Sequence, residues 1–293
     1  MKFYLFVPTL NPGPSWSDWV KALRVQTWQP EKVVVIDSGS TDACVALSEA
    51  AGFDVHPIER SAFNHAGTRQ WALQNFALDA QVAVWMTQDA LLADPSALQK
   101  LLAAFEDPRV ALVFGRQLPR PQAGAIEAHA RRFNYPPRSR TLGLPGQLDQ
   151  DIATWGLKAC FCSNSFAAYR LDRLQTIGGF ENATFLGEDT LAAAKLLLAG
   201  QVLRYEAEAC VWHSHDFSLT QEALRYFQIG RLHQHYPWLR QRFGRASEEG
   251  LHFVRSELRQ LAGMGFFPAL RWVPEALLRS ALKWLSFQAG LVL

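Results

Sequence analysis

The chain has 293 residues, 49% hydrophobic and 19% charged, with a formal net charge of +2. That much apolar material fills the core of one large domain, or of one domain with a smaller appendage, and excludes global disorder. So weak a charge gives no electrostatic case for a nucleic-acid partner.

The ten Trp and nineteen Phe can form core, line a ligand cleft or sit at a membrane interface. Cys44, Cys160, Cys162 and Cys210 form no C-x-x-C pair and read as reduced, buried thiols. The N-terminal "MKFYLFVPTLNPG" is too short an apolar run for a signal peptide, is broken by Pro8, and lacks a small-residue cleavage pattern, so a cytoplasmic protein is expected. No stretch of about 20 uncharged apolar residues predicts a transmembrane helix.

In chain order, "KFYLFVPTL" (2–10) reads as a buried strand ended by the turn "NPGPS". A helix follows over 15–28, with Ser15 or Ser17 as N-cap. "EKVVVIDSGSTD" is a continuous β-branched run that stops at Asp37 in a Ser- and Gly-rich turn. A helix closing at Gly52, a short strand in "FDVHPIER", a helix in "HAGTRQWALQNFAL" and a strand in "QVAVWMTQDA" come next. "DPSALQKLLAAFED" reads as a helix with Asp94 as cap and Pro95 at its first position, followed by a strand in "VALVFGRQLP". Continuous apolar strands alternating with helices predict a parallel sheet covered on both faces. In such sheets ligands sit beyond the carboxyl ends of the strands, so Pro8–Thr9, Asp37–Ser38 and Gln88–Asp89 should meet at one rim.

From 119 to 156 the chain is rich in Arg, Pro and Gly and reads as a partly helical insertion near the site. "FCSNSFAAYRLDRL" is a strand running into a helix, "GGFENATFLGED" a Gly-rich turn leading into a helix near Glu188, and "VLRYEAEACVWHSHDFS" a strand ending in two His. Helices dominate to the end. In the last of them Arg271, Glu275, Arg279 and Lys283 recur every four residues as a narrow, mostly cationic stripe. Trp272, Leu277, Leu278, Leu282, Trp284, Leu285 and Phe287 occupy the remainder. Such a helix lies in a membrane interface, or packs on the catalytic domain or on a second copy. Pro274 suits a helix that begins there.

Five features carry chemistry. Asp37, before Ser38, Gly39 and Ser40, can accept from a ribose or base, or close its own turn. Asp89, with Gln88 and Ala90 as neighbours, can hold a hard divalent cation against a diphosphate, or cap a turn. Glu188 and Asp189 open a helix whose positive end keeps an acid ionised, as a general base requires or as simple capping would. His213 and His215 alternate along a strand and so share a side, ready for a metal or a phosphate or for a structural role. His65, Thr68 and Arg69 stand at a helix start that favours anions.

Together, and in this order, "VPTLN", "VVIDSGSTD", "FNHAGTR", "TQDA", "GGFENATFLGED" and "HSH" resemble family 2 inverting glycosyltransferases of the GT-A fold, over roughly residues 1 to 220. "FNHAGTR" with "TQDA" is similar in particular to bacterial rhamnosyltransferases. The resemblance implies a Rossmann-like, mostly parallel α/β sheet flanked by helices (1–220) with a C-terminal helical region (221–293). It implies that Pro8, Thr9 and Asp37 hold the nucleoside of the donor, that Ser38 and Gln88 belong to the same nucleotide-sugar site, and that Thr68 and Arg69 lie near the nucleotide or its diphosphate. Asp89, with His215 or His213, would hold Mg²⁺ or Mn²⁺. Asp189, with Glu188 beside it, would be the base that activates an acceptor hydroxyl. "TQDA" has one acid where the family's D-x-D element has two, which puts strict metal dependence in question. The expected donor is dTDP-L-rhamnose and the acceptor a glycan, free or lipid-linked, at the inner face of the cell membrane, the enzyme acting alone or as a homo-oligomer. A UDP-hexose donor, or a non-catalytic nucleotide-sugar-binding protein on the same fold, are the rival expectations. A nucleotidyltransferase would carry a Gly-rich, Lys-bearing loop that "PTLNPGPSW" lacks.

Overall fold

The computed structural model describes residues 1–77, 79–181, 186–244 and 246–292. The segment 182–185, inside the "GGFENATFLGED" motif, lies outside the described residues. The first half follows the alternation: β1 (Phe3–Thr9), α1 (Ser15–Arg24), β2 (Lys32–Asp37), α2 (Cys44–Ala50), β3 (Asp54–Pro57), α3 (His65–Phe76) and β4 (Val82–Met86). The two-residue β5 (Leu91–Leu92), α4 (Ala97–Ala103), β6 (Val110–Leu118), α5 (Ala125–Asn134), β7 (Arg140–Leu142) and α6 (Leu148–Trp155) come next. Then follow β8 (Phe166–Arg170), α7 (Leu171–Thr176), α8 (Glu188–Leu198) and β9 (Val202–Trp212). The chain ends in α9 (Leu219–His235), α10 (Pro237–Phe243), α11 (Ala246–Ala262) and α12 (Phe266–Val292).

Among the described residues nine strands join one sheet, ordered β3-β2-β1-β4-β8-β6-β9-β5, with β7 on β9. Strands β3, β2, β1 and β4 are parallel. Beyond β4 the sheet is mixed: β8 is antiparallel to both β4 and β6, while β6 and β9 run parallel. The apolar runs are continuous because both faces are covered. Along β1, Tyr4 and Phe6 face one core with Val34, Ile36 and Trp85. Phe3, Leu5 and Val7 face the other, with Trp16, Trp19, Val33 and Val35. Each such side chain, once buried, contributes roughly 1.5–3 kcal/mol.

Three local readings need correction. Asp94 accepts from Ser96 N (2.8 Å) and Ser96 Oγ (2.6 Å), closing a turn ahead of α4. The helix therefore starts at Ala97, beyond Pro95. The helix α1 begins at Ser15 with Pro14 before it and no side-chain cap. Pro274 lies inside α12 rather than at its start.

The last helix packs on the protein, one of the arrangements its pattern allowed. Arg279 donates to Glu222 Oε2 of α9 and to the carbonyl of Phe217, both at 2.9 Å, and Lys283 pairs with Glu222 Oε1 at 2.8 Å. The inner part of the cationic stripe thus turns into the protein, because the acid that matches it stands on α9. The exposed side of α12 is apolar instead: Phe266, Phe267, Leu270, Leu277, Leu278, Trp284 and Leu285 are all open to solvent. No helix among the described residues is long and apolar enough to cross a membrane.

α9 and α12 cross at Gly230 and Gly290. A Cβ on Gly290 would collide with the carbonyl of Phe227, and one on Gly230 with that of Phe287. Backbone cannot yield as a side chain can. Gly290→Val is therefore expected to cost about 1–3 kcal/mol, read as a fall of roughly 2–4 °C in melting temperature per kcal/mol. The exposed neighbour change Ala289→Val serves as control, and equal melting of the two variants would contradict the close crossing.

Candidate active site

The carboxyl ends of β1, β2 and β4 do meet at one rim. Thr9 Oγ1 donates to Asp37 Oδ1 (3.0 Å), and Ser38 N and Oγ both donate to the Thr9 carbonyl (2.9 and 2.8 Å). Asp37 Oδ2 accepts from the amides of Gly39 (3.0 Å) and Ser40 (2.8 Å), so the carboxylate closes its own Asx turn. Gln88 straddles the backbone of Leu10, accepting from its N–H (2.7 Å) and donating to its carbonyl (3.1 Å). Pro8 is half-buried on the same edge. These residues shape a rim whose buried polar atoms are satisfied by one another.

Asp89 stands in the turn between β4 and β5. β5 pairs with β9 in antiparallel register, Leu91 opposite Trp212. The residue two before Leu91 is thereby brought beside the residues just past Trp212, which are His213 and His215. His213 Nε2 is 3.3 Å from Asp89 Oδ1 and His215 Nδ1 is 3.4 Å from Asp89 Oδ2. Their ligand atoms all lie within 4.8 Å of one another. The apolar residues around Asp89 are explained by the same geometry: Ala90 and Leu92 are buried under the sheet edge while the acid faces the two imidazoles.

This trio fits a divalent cation. His213 is buried, and its Nε2 makes no hydrogen bond although a carboxylate oxygen is near it. Burial alone would raise the Asp89 carboxyl, but the neighbouring His213 and His215 imidazoles hold it well below the usual carboxylate range. Burial first, and His213 second, push His215 down to about 4, leaving a neutral imidazole at pH 7. An ionised carboxylate and a neutral imidazole are the forms that bind metal.

Glu188 and Asp189 open α8, but their surroundings differ. Glu188 is buried. It pairs with Arg69 Nη1 at 2.8 Å and accepts from Asn164 Nδ2 at 3.1 Å. Although burial opposes ionisation, Arg69 and then His65 keep Glu188 below its ordinary value. Asp189 is only partly buried. Its oxygens accept from the amides of Asn164 (3.2 Å) and Thr190 (2.7 Å). Burial, and next the negative charge of Glu188, raise Asp189 to about 6. Of the two acids, Asp189 has the access and the poise of a base.

Arg69 and Thr68, expected near the nucleotide or its diphosphate, also make contacts within the protein. Arg69 is buried, donates to the His65 carbonyl (3.0 Å) and lies over the Trp85 ring, besides gripping Glu188. Thr68 Oγ1 accepts from Asn64 N (3.3 Å) at the start of α3, whose N-cap is Asn64. Exposed Arg225 of α9 instead makes its positive charge felt by both His65 and His215.

Several residues here carried no sequence motif. Asn164 holds both acids and itself accepts from Tyr169 Oη (2.8 Å). Arg120 donates to the Asp89 carbonyl (2.6 Å). Gln117 donates from Nε2 to Ser163 Oγ (3.0 Å), and its Oε1 lies 2.8 Å from His213 Nδ1. A polar Gln three residues past the apolar run "VALVF" was the one visible signal. Gln117 reaches His213 through a bulge: the β6–β9 register jumps between Gly115 and Arg116, and a Cβ at Gly115 would strike Phe166 and the Ala209 carbonyl. Consecutive residues Ser163 and Asn164 thus connect the Asp89–histidine trio to the two acids.

The profile described as Glycosyl transferase family 2 matches residues 4–178. The chain is 42% identical over 291 residues to the O-antigen chain rhamnosyltransferase RfbN of Salmonella typhimurium, covering 99% of this chain and 90% of that one. It is 41% identical over 289 residues to the O-antigen chain rhamnosyltransferase WbaN of Salmonella anatum, covering 98% and 89%. In fold it is similar to the mannosyltransferase PcManGT of Pyrobaculum calidifontis, solved with GDP-Man and Mn²⁺, at a TM-score of 0.63 and 16% identity over 99% of this chain and 86% of that one.

Proposed function

The chain belongs to glycosyl transferase family 2, and from that premise we propose that it moves L-rhamnose from dTDP-L-rhamnose onto a hydroxyl of a bacterial surface glycan, with inversion. That it is a glycosyltransferase rests on the family and on relatives matched along nearly their whole length. The choice of rhamnose is supported by what those relatives are named. The observation that carries the mechanism is the Ser163–Asn164 link, which ties a cation-ready trio and a raised carboxylate into one site.

In this reading Asp189 accepts the proton of the acceptor hydroxyl. The freed oxygen pair forms a bond to the anomeric carbon from the face opposite the diphosphate, and the bond to the diphosphate oxygen breaks with its electrons. One displacement inverts the configuration, and no enzyme nucleophile is needed. Asp89, His213 and His215 would hold a divalent cation, which supplies positive charge where the leaving group gains negative charge. Two imidazoles beside one carboxylate suit Mn²⁺ better than Mg²⁺. Thr9, Asp37, Ser38 and Gln88 shape the rim on which the nucleoside would rest, beside Pro8. Arg69 acts here by fixing Glu188, and Glu188 by raising Asp189.

A thermal-melting panel with dTDP-rhamnose, UDP-glucose, UDP-galactose and GDP-mannose, each with and without Mn²⁺, tests the donor, because a ligand that binds the folded state raises its melting temperature. A rise with dTDP-rhamnose alone is expected. A rise with a UDP-sugar instead would replace the donor, and none with any would remove the donor-site reading.

The exposed apolar side of α12 is proposed to rest on the inner membrane surface, where a lipid-linked acceptor would be presented. Flotation with anionic vesicles is expected to carry the protein upward, and Leu277→Glu with Leu285→Glu to abolish this. Equal flotation of both forms would rule the surface out.

A further inference from the structure

We propose that Gln117 fixes the ring form of His213, and that Glu127 and Arg131 of α5 position the two histidines for a divalent cation. The inference rests on the reading of Asp89, His213 and His215 as a metal site.

The argument begins with Arg131, whose guanidinium can only donate. It bonds Gln117, so the amide atom it faces is the oxygen. The amide nitrogen of Gln117 is accounted for separately, donating to Ser163 Oγ at 3.0 Å. That same Gln117 oxygen is 2.8 Å from His213 Nδ1. Two acceptors cannot face each other at this distance, so Nδ1 carries the hydrogen. In the neutral ring Nε2 is then bare, and it lies 3.3 Å from Asp89 Oδ1. A buried ring nitrogen without a hydrogen bond, this close to a carboxylate oxygen, is a place that a shared cation would fill.

The second histidine is held from the same helix. Glu127 Oε1 accepts from Arg131 Nε at 2.7 Å, one turn along α5, and from the backbone N–H of His215 at 3.1 Å. Glu127 therefore orients the arginine that orients the glutamine, and also anchors the backbone of the other ligand. Gln117 is buried and Glu127 and Arg131 nearly so, which shields the relay from competing water. α5 is backed in turn by α11, through His129 Nε2 to Ser256 Oγ (3.0 Å) and the Phe133–Phe253 ring contact. Outer partners of this kind typically govern 10–100-fold in metal affinity.

The test uses the full chain with Mn²⁺ alone, counting free Mn²⁺ by electron paramagnetic resonance, so no turnover is needed. Gln117→Leu removes the acceptor and is expected to weaken Mn²⁺ binding roughly 10–100-fold. Gln117→Glu keeps an acceptor for both Nδ1–H and Arg131 and is expected to bind at least as tightly as wild type. Equal affinity in wild type and the Leu variant, or equal loss in both variants, overturns the role of Gln117 and leaves the metal site standing. Wild type that binds no Mn²⁺ overturns the metal reading and this inference together. Should the Leu variant not fold, ¹⁵N spectra of metal-free wild type above about pH 8, where an ordinary imidazole is neutral, decide the matter. The Nδ1–H form of His213 is expected, and the Nε2–H form overturns the proposal.

Discussion

Asp189→Asn is expected to lower kcat by roughly 10²–10⁴-fold, the usual contribution of a positioned general base, while donor binding survives. The substitution keeps the shape of the side chain and removes its ability to take a proton. The neighbours that hold Asp189, the amides of Asn164 and Thr190, belong to the loop and the helix start rather than to a substrate. The donor rim on β1, β2 and β4 is built from other residues, so a donor-induced rise in melting temperature should persist in the variant. The wild-type pH profile supplies a second reading of the same group. A base must be ionised, and Asp189 is raised to about 6 by burial and by Glu188. Turnover should therefore fall as pH drops below about 6 and be level above it. Without the shift the acid limb would lie near pH 4. A variant retaining a tenth or more of the wild-type rate, or an acid limb near pH 4, would take the role of base from Asp189.

Asp89→Ala is expected to abolish Mn²⁺ binding in the micromolar range and to lower kcat about 10²–10³-fold, the scale seen when one preorganised charge-stabilising contact is removed. Asp89 is the sole carboxylate of the trio. Without it two imidazoles remain, and neutral nitrogens alone offer a divalent ion no charge compensation. Mn²⁺ titration and steady-state transfer measured side by side decide the point. Unchanged turnover with metal binding lost would mean that the reaction does not use the cation. Unchanged metal binding would move the site away from Asp89.

What could be read before the structure was known, and what could not, divides along a physical line. Strands buried on both faces announce themselves as apolar runs, so β1, β2 and β4 and the rim at Thr9, Asp37 and Gln88 were legible from local composition. The pairing of Asp89 with His213 and His215 was legible only as a coincidence of metal-binding types, because the register that joins them couples residues more than a hundred apart. Antiparallel β8, inserted between β4 and β6, was read as a strand but not as the element that places Asn164 against both acids. Gln117 and Arg131 depend on a bulge at Gly115 that no pattern of alternation encodes. The periodicity of α12 correctly separated a polar from an apolar side, yet it could not say which side turns inward. That was decided by Glu222, an acid on another helix. Arg69 shows the reverse case: a basic residue at a helix start suggests an anion, and here the anion is the protein's own Glu188.

The glycine crossing of α9 and α12 has a mechanical consequence. With backbone against backbone at Gly230 and Gly290, the two helices approach as closely as they do only because neither carries a side chain there. α12 is also pinned to the segment that follows His215, through Arg279 and the Phe217 carbonyl. The outer apolar side of α12 is thereby linked, through its crossing with α9 and the Arg279 bond, to the segment that follows the histidine end of β9.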